Sequence, residues 1–246
     1  VKYLLSRASG SILSLLSKER TLCGFDFDGT LVPIVAHPND AHLSESTRGL
    51  LTRLEALYPC IIISGRSRGD LARKLEGVTV ERLVGSHGAD GGNSTLTNNS
   101  RTDEWRLAFE RETISMPGVW VENKGRSLAV HYRQSKHGAE ARRRILQVAG
   151  QLDNARVFGG KAVINVAAEG DQNKGDALAA ERDRLGCRWV LFVGDDENDE
   201  EAFALSGNVV SVRIGRKKAS RARYFLRNQL EIDLLLETLV KLREIS

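Results

Sequence analysis

The sequence predicts an α/β fold, a doubly wound parallel sheet interrupted by a second, smaller α+β domain. Three observations carry this. Short apolar runs recur at 21–27, 60–64, 82–85, 189–193 and 209–214, with helix-length segments at 44–58, 67–76, 174–185 and 198–206 between several of them. Apolar strands alternating with helices make a parallel sheet covered on both faces. Three of those runs end in polar, glycine-containing signatures, as expected where an open sheet presents the carboxyl ends of its strands to a ligand. Residues 105–167 follow another pattern, in which short connections join alternating strands into hairpins.

Taken in order, Leu4, Leu5, Ala8, Ile12, Leu15 and Leu16 recur near helical spacing, so residues 1–20 are expected to form an amphipathic helix packed on the body. The first three strands follow, separated by the helices at 44–58 and 67–76. The stretch 91–100, rich in glycine, serine, threonine and asparagine, is the most loop-like in the chain. The insert reads as a helix (105–115), strands at 119–124 and 127–133, a basic helix (137–152), and strands at 156–159 and 161–167. The parallel pattern then resumes, and an apolar stripe over 230–242 is expected to cover the sheet. Residues 1–100 and 171–246 thus make a Rossmann-like core and 101–170 the inserted domain. Glycine-rich connections near 85–98 and 159–175 would let the insert move.

Composition narrows the function classes. The chain has 246 residues, of which 41% are hydrophobic, and no apolar run long enough to span a membrane. Its 36 basic residues against 32 acidic ones give a net charge of +4, an excess that suits a small anionic substrate as well as a nucleic acid. The basic groups at Arg142–Arg144 and at Lys217, Lys218, Arg221 and Arg223 lack interleaved aromatics, so they read as solvated faces and not as a nucleic-acid surface. Cys23, Cys60 and Cys187 have no metal-ligand spacing and read as reduced, buried thiols of a cytoplasmic, monomeric protein.

The chemistry sits in four motifs: Phe25-Asp26-Phe27-Asp28-Gly29-Thr30, Ser64-Gly65-Arg66, Asn173-Lys174-Gly175, and Gly194-Asp195-Asp196-Glu197-Asn198-Asp199. Asp26 and Asp28 point to one side of an extended backbone, and Asp195 can converge on them from another strand end. Carboxylates gathered this way call for a hard cation such as Mg²⁺. Asp26 can then attack phosphorus to give an aspartyl-phosphate. Asp28 beside it can hold a proton for the leaving alkoxide and then serve as base for the hydrolytic water. Ser64, Lys174 and the backbone N–H groups of the turns after Asp26 and Ser64, Gly65 among them, would hold the phosphoryl oxygens.

These motifs resemble those of the haloacid dehalogenase superfamily of phosphotransferases, in its phosphatase branch. The resemblance implies Asp26 as nucleophile, Asp28 as acid/base, and Mg²⁺ held by Asp26, the Asp28 carbonyl and Asp195, with Asp196 or Asp199 contributing. The insert stands where that superfamily carries its type 2 cap, and its αββαββ pattern is similar to the C2B type. Over nearly its whole length the chain resembles the trehalose-6-phosphate phosphatases. The resemblance rests on 26–34, 62–66, Gly85-Ser-His-Gly-Ala-Asp90, Glu122-Asn-Lys124 followed by Ser127-Leu-Ala-Val-His-Tyr-Arg133, and 194–203. It implies hydrolysis of trehalose 6-phosphate to trehalose and inorganic phosphate, with Arg66, Glu122, Lys124, Arg133 and Glu169 on the substrate. Two stretches depart from the family pattern: Asn198 stands where Thr is usual, and Ala167-Ala168-Glu169-Gly170 where a more basic segment is expected. They leave other sugar phosphates open as substrates: glucosylglycerol phosphate, sucrose 6-phosphate or a hexose phosphate. His87 and His131 read as hydrogen-bonded structural residues, and Glu122 with Lys124 also reads as an ion pair on one strand face.

Overall fold

The computed structural model describes residues 1–35, 37–91 and 99–246. The strands are β1 (Lys2–Tyr3), β2 (Thr21–Phe25), β3 (Cys60–Ile63), β4 (Arg82–Val84), β5 (Trp120–Asn123), β6 (Ser127–His131), β7 (Ala155–Gly160), β8 (Val163–Ala168), β9 (Trp189–Gly194), β10 (Val209–Ile214) and β11 (Tyr224–Leu226). The helices are α1 (Gly10–Lys18), α2 (Glu45–Glu55), α3 (Arg68–Lys74), α4 (Asn99–Thr113), α5 (Gly138–Ala149), α6 (Lys174–Arg184), α7 (Glu200–Phe203) and α8 (Glu231–Glu244). Among the described residues no helix is long and apolar enough to cross a membrane.

The chain divides into two compact units. The first comprises Val1–Gly91, Gln172–Asp195 and Asp199–Ser246, and the second Gly92–Asp171 with Asp196–Asn198. In the first, a parallel sheet runs in the order β1-β11-β10-β9-β2-β3-β4. All residues of β2 and β3 are buried, which is why these strands read as continuous apolar runs without alternation. Cys23, Phe25, Ile62, Leu191 and Val193 face α1, α2, α3 and α8 through Leu16, Leu54, Leu71 and Leu235. Leu22, Ile61, Ile63, Val190 and Phe192 face α6 and α7 through Leu178 and Phe203. Burying a side chain of this size contributes about 2 kcal/mol. This is the doubly wound core that the sequence predicts.

The second unit is an antiparallel sheet in the order β5-β6-β8-β7. Trp105 and Phe109 of α4 and Ile145 and Ala149 of α5 pack on Leu128, Val130, Ile164 and Val166. Period-two alternation places Trp120, Glu122, His131 and Asn165 on the opposite face.

Three readings change. The N-terminal segment is not one helix: Lys2 donates its backbone N–H to the Arg223 carbonyl and pairs as an edge strand with β11. The Ser6 and Ser9 hydroxyls then hold the Tyr3 carbonyl before α1 begins at Gly10. Of the loop-like 91–100, residues 99–100 belong to α4, while 92–98, including part of the expected hinge near 85–98, lie outside the described residues. Most of the expected hinge at 159–175 is occupied by the β7–β8 hairpin and its ladder.

Candidate active site

Register decides what meets at the sheet's carboxyl edge. Phe25 is opposite Val193 on β9 and Ile62 on β3, so the chain leaves three adjacent strands at Asp26, Ser64 and Asp195. The strand order reverses direction here, with β3 and β4 on one side of β2 and β9, β10 and β11 on the other. Doubly wound sheets bind ligands at such a point.

The Asp26 N–H donates to the Val193 carbonyl at 2.9 Å, carrying the ladder one residue past β2. The next turn closes with Gly29 donating to Val32 at 2.7 Å. Gly29 has φ +87°, and a Cβ there would overlap the Asp195 carboxylate, so only glycine lets the two loops approach this closely. Lys174 is the first residue of α6, whose start is fixed by a reciprocal cap: Asn173 accepts from the Asp176 N–H, and Asp176 accepts from the Asn173 N–H.

Lys174 is fully buried, and its Nζ donates to Asp26 Oδ1 and Asp199 Oδ1, each at 2.7 Å. The other oxygen of Asp199 accepts the Asp195 N–H at 2.8 Å. Asp26, Asp195 and Asp199 are all buried, and each offers an oxygen within 4.8 Å of the others. Burial pushes Asp26 well above the ordinary carboxylate range; Lys174 opposes the rise, and Asp199 and Asp195 add to it. Burial alone would lower Lys174, but the Asp199 and Asp26 carboxylates outweigh it and hold the ammonium above its usual value. Three buried carboxylates that each offer an oxygen to one spot make an all-oxygen donor set, and such a set fits a hard divalent cation. Asp196 is outside this cluster. Its carboxylate accepts the N–H of Glu197 and of Lys161.

Ser64 is buried, and its Oγ accepts the Arg66 N–H at 3.3 Å. Its backbone is pinned by Val84 and by the His87 N–H. The His87 ring lies against Gly65, where a Cβ would overlap it. Ser86 and His87 both take left-handed backbone angles, at φ 50° and 58°, a strained pair next to Ser64 and Gly65. Asp28 is gripped by Arg66: Nε donates to Oδ2 and Nη2 to Oδ1, both at 2.7 Å. Arg66, expected on the substrate, is thus turned toward Asp28 and, through Nη1, toward Asp70 at 2.7 Å.

Two contributors were not read from the sequence. One is Asp70. The other is Arg213, buried at the end of β10, which donates to the Asp195 carbonyl at 2.5 Å and to Glu200 at 3.0 Å and so braces the loop carrying Asp195. A charged residue inside the apolar run 209–214 was its signal.

In the second unit, the Glu122 carboxylate accepts from His131 Nε2 at 2.8 Å and lies 3.7 Å from Lys124 Nζ. His131 also stacks on Trp120 at 4.0 Å between centroids. Glu122 and Lys124 are therefore together, with His131 as a bonded neighbour. Arg133 stands two residues past the His131 end of β6, donating to the Lys161 carbonyl at 3.1 Å. Glu169 is exposed beyond β8, its N–H on the Asn154 carbonyl.

The sequence pattern of the family described as trehalose-phosphatase matches residues 24–229, a span that takes in every one of these groups. The chain belongs to the trehalose-phosphatase family. Within it, the chain is 29% identical to "Probable trehalose-phosphate phosphatase 4" of Oryza sativa subsp. japonica over 88% of its own length, and 34% identical to the trehalose-phosphate phosphatase of Mycobacterium avium over 73%. It spans 65% of the rice protein and 49% of the mycobacterial one. Among solved structures, the C-terminal domain of the C. albicans trehalose-6-phosphate phosphatase matches with a TM-score of 0.83 at 24% identity, covering 98% of both chains. At that identity the match speaks for the trehalose-phosphatase fold, a parallel core sheet with an inserted antiparallel one.

Proposed function

We propose that the chain hydrolyses trehalose 6-phosphate to trehalose and inorganic phosphate, with Asp26 as nucleophile and Mg²⁺ as the cation. The observation that carries this reading is the buried Asp26 carboxylate at the switch point, fixed by Lys174 beside Asp195 and Asp199 in a chain of this family. Asp26 forms the new O–P bond as the P–O bond to the sugar breaks, and Asp28 gives its proton to the departing sugar oxygen. Water then attacks phosphorus while Asp28 takes its proton; the Asp26 O–P bond breaks, and inorganic phosphate leaves with the carboxylate restored. Ser64 Oγ and the Gly65 N–H receive phosphoryl oxygens, and Lys174 opposes the protonation of Asp26 and holds it in place. Asp26, Asp195 and Asp199 would hold Mg²⁺, which when bound neutralises phosphoryl charge. On the same reading, Glu122 and Lys124 present an acceptor and a donor to sugar hydroxyls. The three cysteines are free and buried, which supports a reducing, cytoplasmic setting.

A second reading keeps the chemistry and changes the sugar. It is favoured by Asn198, where the family usually has Thr, whose Oδ1 is buried with no hydrogen-bond partner among the described residues. Phosphate release with Mg²⁺ against trehalose 6-phosphate, sucrose 6-phosphate, glucosylglycerol phosphate and glucose 6-phosphate separates the two. We expect preference for trehalose 6-phosphate, loss of turnover in Asp26→Asn, and loss on adding EDTA. Equal activity over the panel would favour the second reading, and a fully active Asp26→Asn would overturn the nucleophile.

A further inference from the structure

Asp70 belongs to none of the four motifs, yet it is the outer member of a chain of ion pairs that ends on the acid/base carboxylate. Arg66 is the middle member. A guanidinium has five N–H donors in a fixed fork, and four of them are engaged here. Nε and Nη2 hold the two oxygens of Asp28, Nη1 holds Asp70 Oδ2 at 2.7 Å, and the second Nη2 hydrogen goes to the Pro38 carbonyl at 2.9 Å. The guanidinium carbon also lies 5.5 Å from the centroid of the Phe27 ring. The side chain of Arg66 is only 9% exposed, against 34% for Asp28, so the fork is set from below and Asp28 is presented from its tip.

Asp70 is itself anchored. It lies in the first turn of α3, its N–H donating to the Ser67 hydroxyl that caps the helix, and its other oxygen accepts from Arg73 at 3.1 Å. A carboxylate on a capped helix is a firmer support than one on a loop. Without Asp70, Arg66 keeps only the Pro38 carbonyl and the Phe27 ring as supports besides Asp28, and the pair is freer to swing, because both side chains emerge from loops after strands.

We propose that Asp70 is a positioning residue, acting through Arg66 to fix the orientation of Asp28, and that Arg66 serves this relay and not the sugar. The inference rests on the phosphatase reading above. Its chemical signature is dependence on the leaving group. Departure of a sugar oxygen requires the Asp28 proton, whereas p-nitrophenolate leaves without one, so the phosphorylation step on p-nitrophenyl phosphate does not need Asp28 aimed.

The test is steady-state kinetics of wild type, Asp70→Asn and Asp70→Glu on trehalose 6-phosphate and p-nitrophenyl phosphate. For Asp70→Asn we expect kcat on the sugar phosphate to fall about tenfold, part of the ~10²–10⁴ that a positioned acid contributes, with KM and the aryl kcat/KM held within about twofold. Asp70→Glu, still able to reach Arg66 from the helix, should recover most of the loss. Three results would overturn the relay: an equal loss on both substrates, a rise in KM alone, or no change on either. A wild-type protein that releases phosphate from neither substrate would overturn the activity reading itself, and it would do so before any variant is compared.

Discussion

At Asp70 burial alone would raise the carboxyl, but the hydrogen bond and charge of Arg66 outweigh it, with Lys74 and Arg73 adding to the effect, and the group sits below its ordinary 3.8. A depressed carboxylate contributes stability that is present above its unfolded value and lost as the pH falls through its folded one. Asp70→Asn should therefore melt lower than wild type near neutrality, and the gap should close below pH 3.8 as Asp70 protonates in both states. Melting curves from about pH 6 to about pH 2 check this; a gap that stays constant would mean that the lost stability is not the charge. The same residue shows how much of the site was legible. Asp26, Ser64, Lys174 and Asp195 could be read from their places at strand ends and a helix start. The choice between Asp196 and Asp199 could not be read from an acidic run, although the spacing of four that joins Asp195 to Asp199 was available. The same spacing joins Arg66 to Asp70, a pair of which the Ser64-Gly65-Arg66 motif gave no sign.

Among the elements, α6 carries the most weight for its length, since its first residue is the buried ammonium. Its start is set by the Asn173–Asp176 cap and not by a strong apolar stripe. Asn173→Ala removes one half of that cap and should cost about 1 kcal/mol, or roughly 2–4 °C in Tm for a protein of this size. Thermal melts give the shift, and an unchanged Tm would mean that packing alone places Lys174. The continuous apolar runs of β2, β3 and β9 and helices with an apolar stripe, such as α8, were legible. The two-residue edge strand β1 and its three-residue neighbour β11 were not. Two or three residues carry no period, and Lys2–Tyr3 is a strand only because the Arg223 and Phe225 carbonyls receive the N–H groups of Lys2 and Leu4. The same pairing cut short the helix expected over residues 1–20.

At the scale of the molecule, each unit has its own apolar core, around Phe25 and Phe192 in the first and around Phe109 and Val130 in the second. The change from strands separated by helices to strands joined by hairpins made the insert legible. How its polar residues divide between a ligand face and ordinary ion pairs was not legible, because Glu122, Lys124 and His131 satisfy both patterns. The acidic cluster lies in the first unit alone, so cation binding should stabilise that unit selectively. At about 100 times its Kd, Mg²⁺ should add ~2.7 kcal/mol to it. Scanning calorimetry should resolve two transitions, with Mg²⁺ raising one and leaving the other in place. A single transition that moves as a whole would show that the units unfold together.

The three cysteines add one more consequence. Cys23 and Cys60 sit opposite each other on β2 and β3, 0% and 1% exposed, and Cys187 is 7% exposed. Hydrogen bonding to Cys23 and burial raise the Cys60 thiol, and burial raises Cys187, so neither is a ready nucleophile while the fold is closed, and Cys23 is shut away from solvent. All three lie in the first unit, and they are every cysteine in the chain. A disulfide reagent such as dithionitrobenzoate therefore acts as a clock on the opening of the first unit and is blind to the second. The native protein should colour the reagent slowly, more slowly still with Mg²⁺, and release three equivalents at once in denaturant.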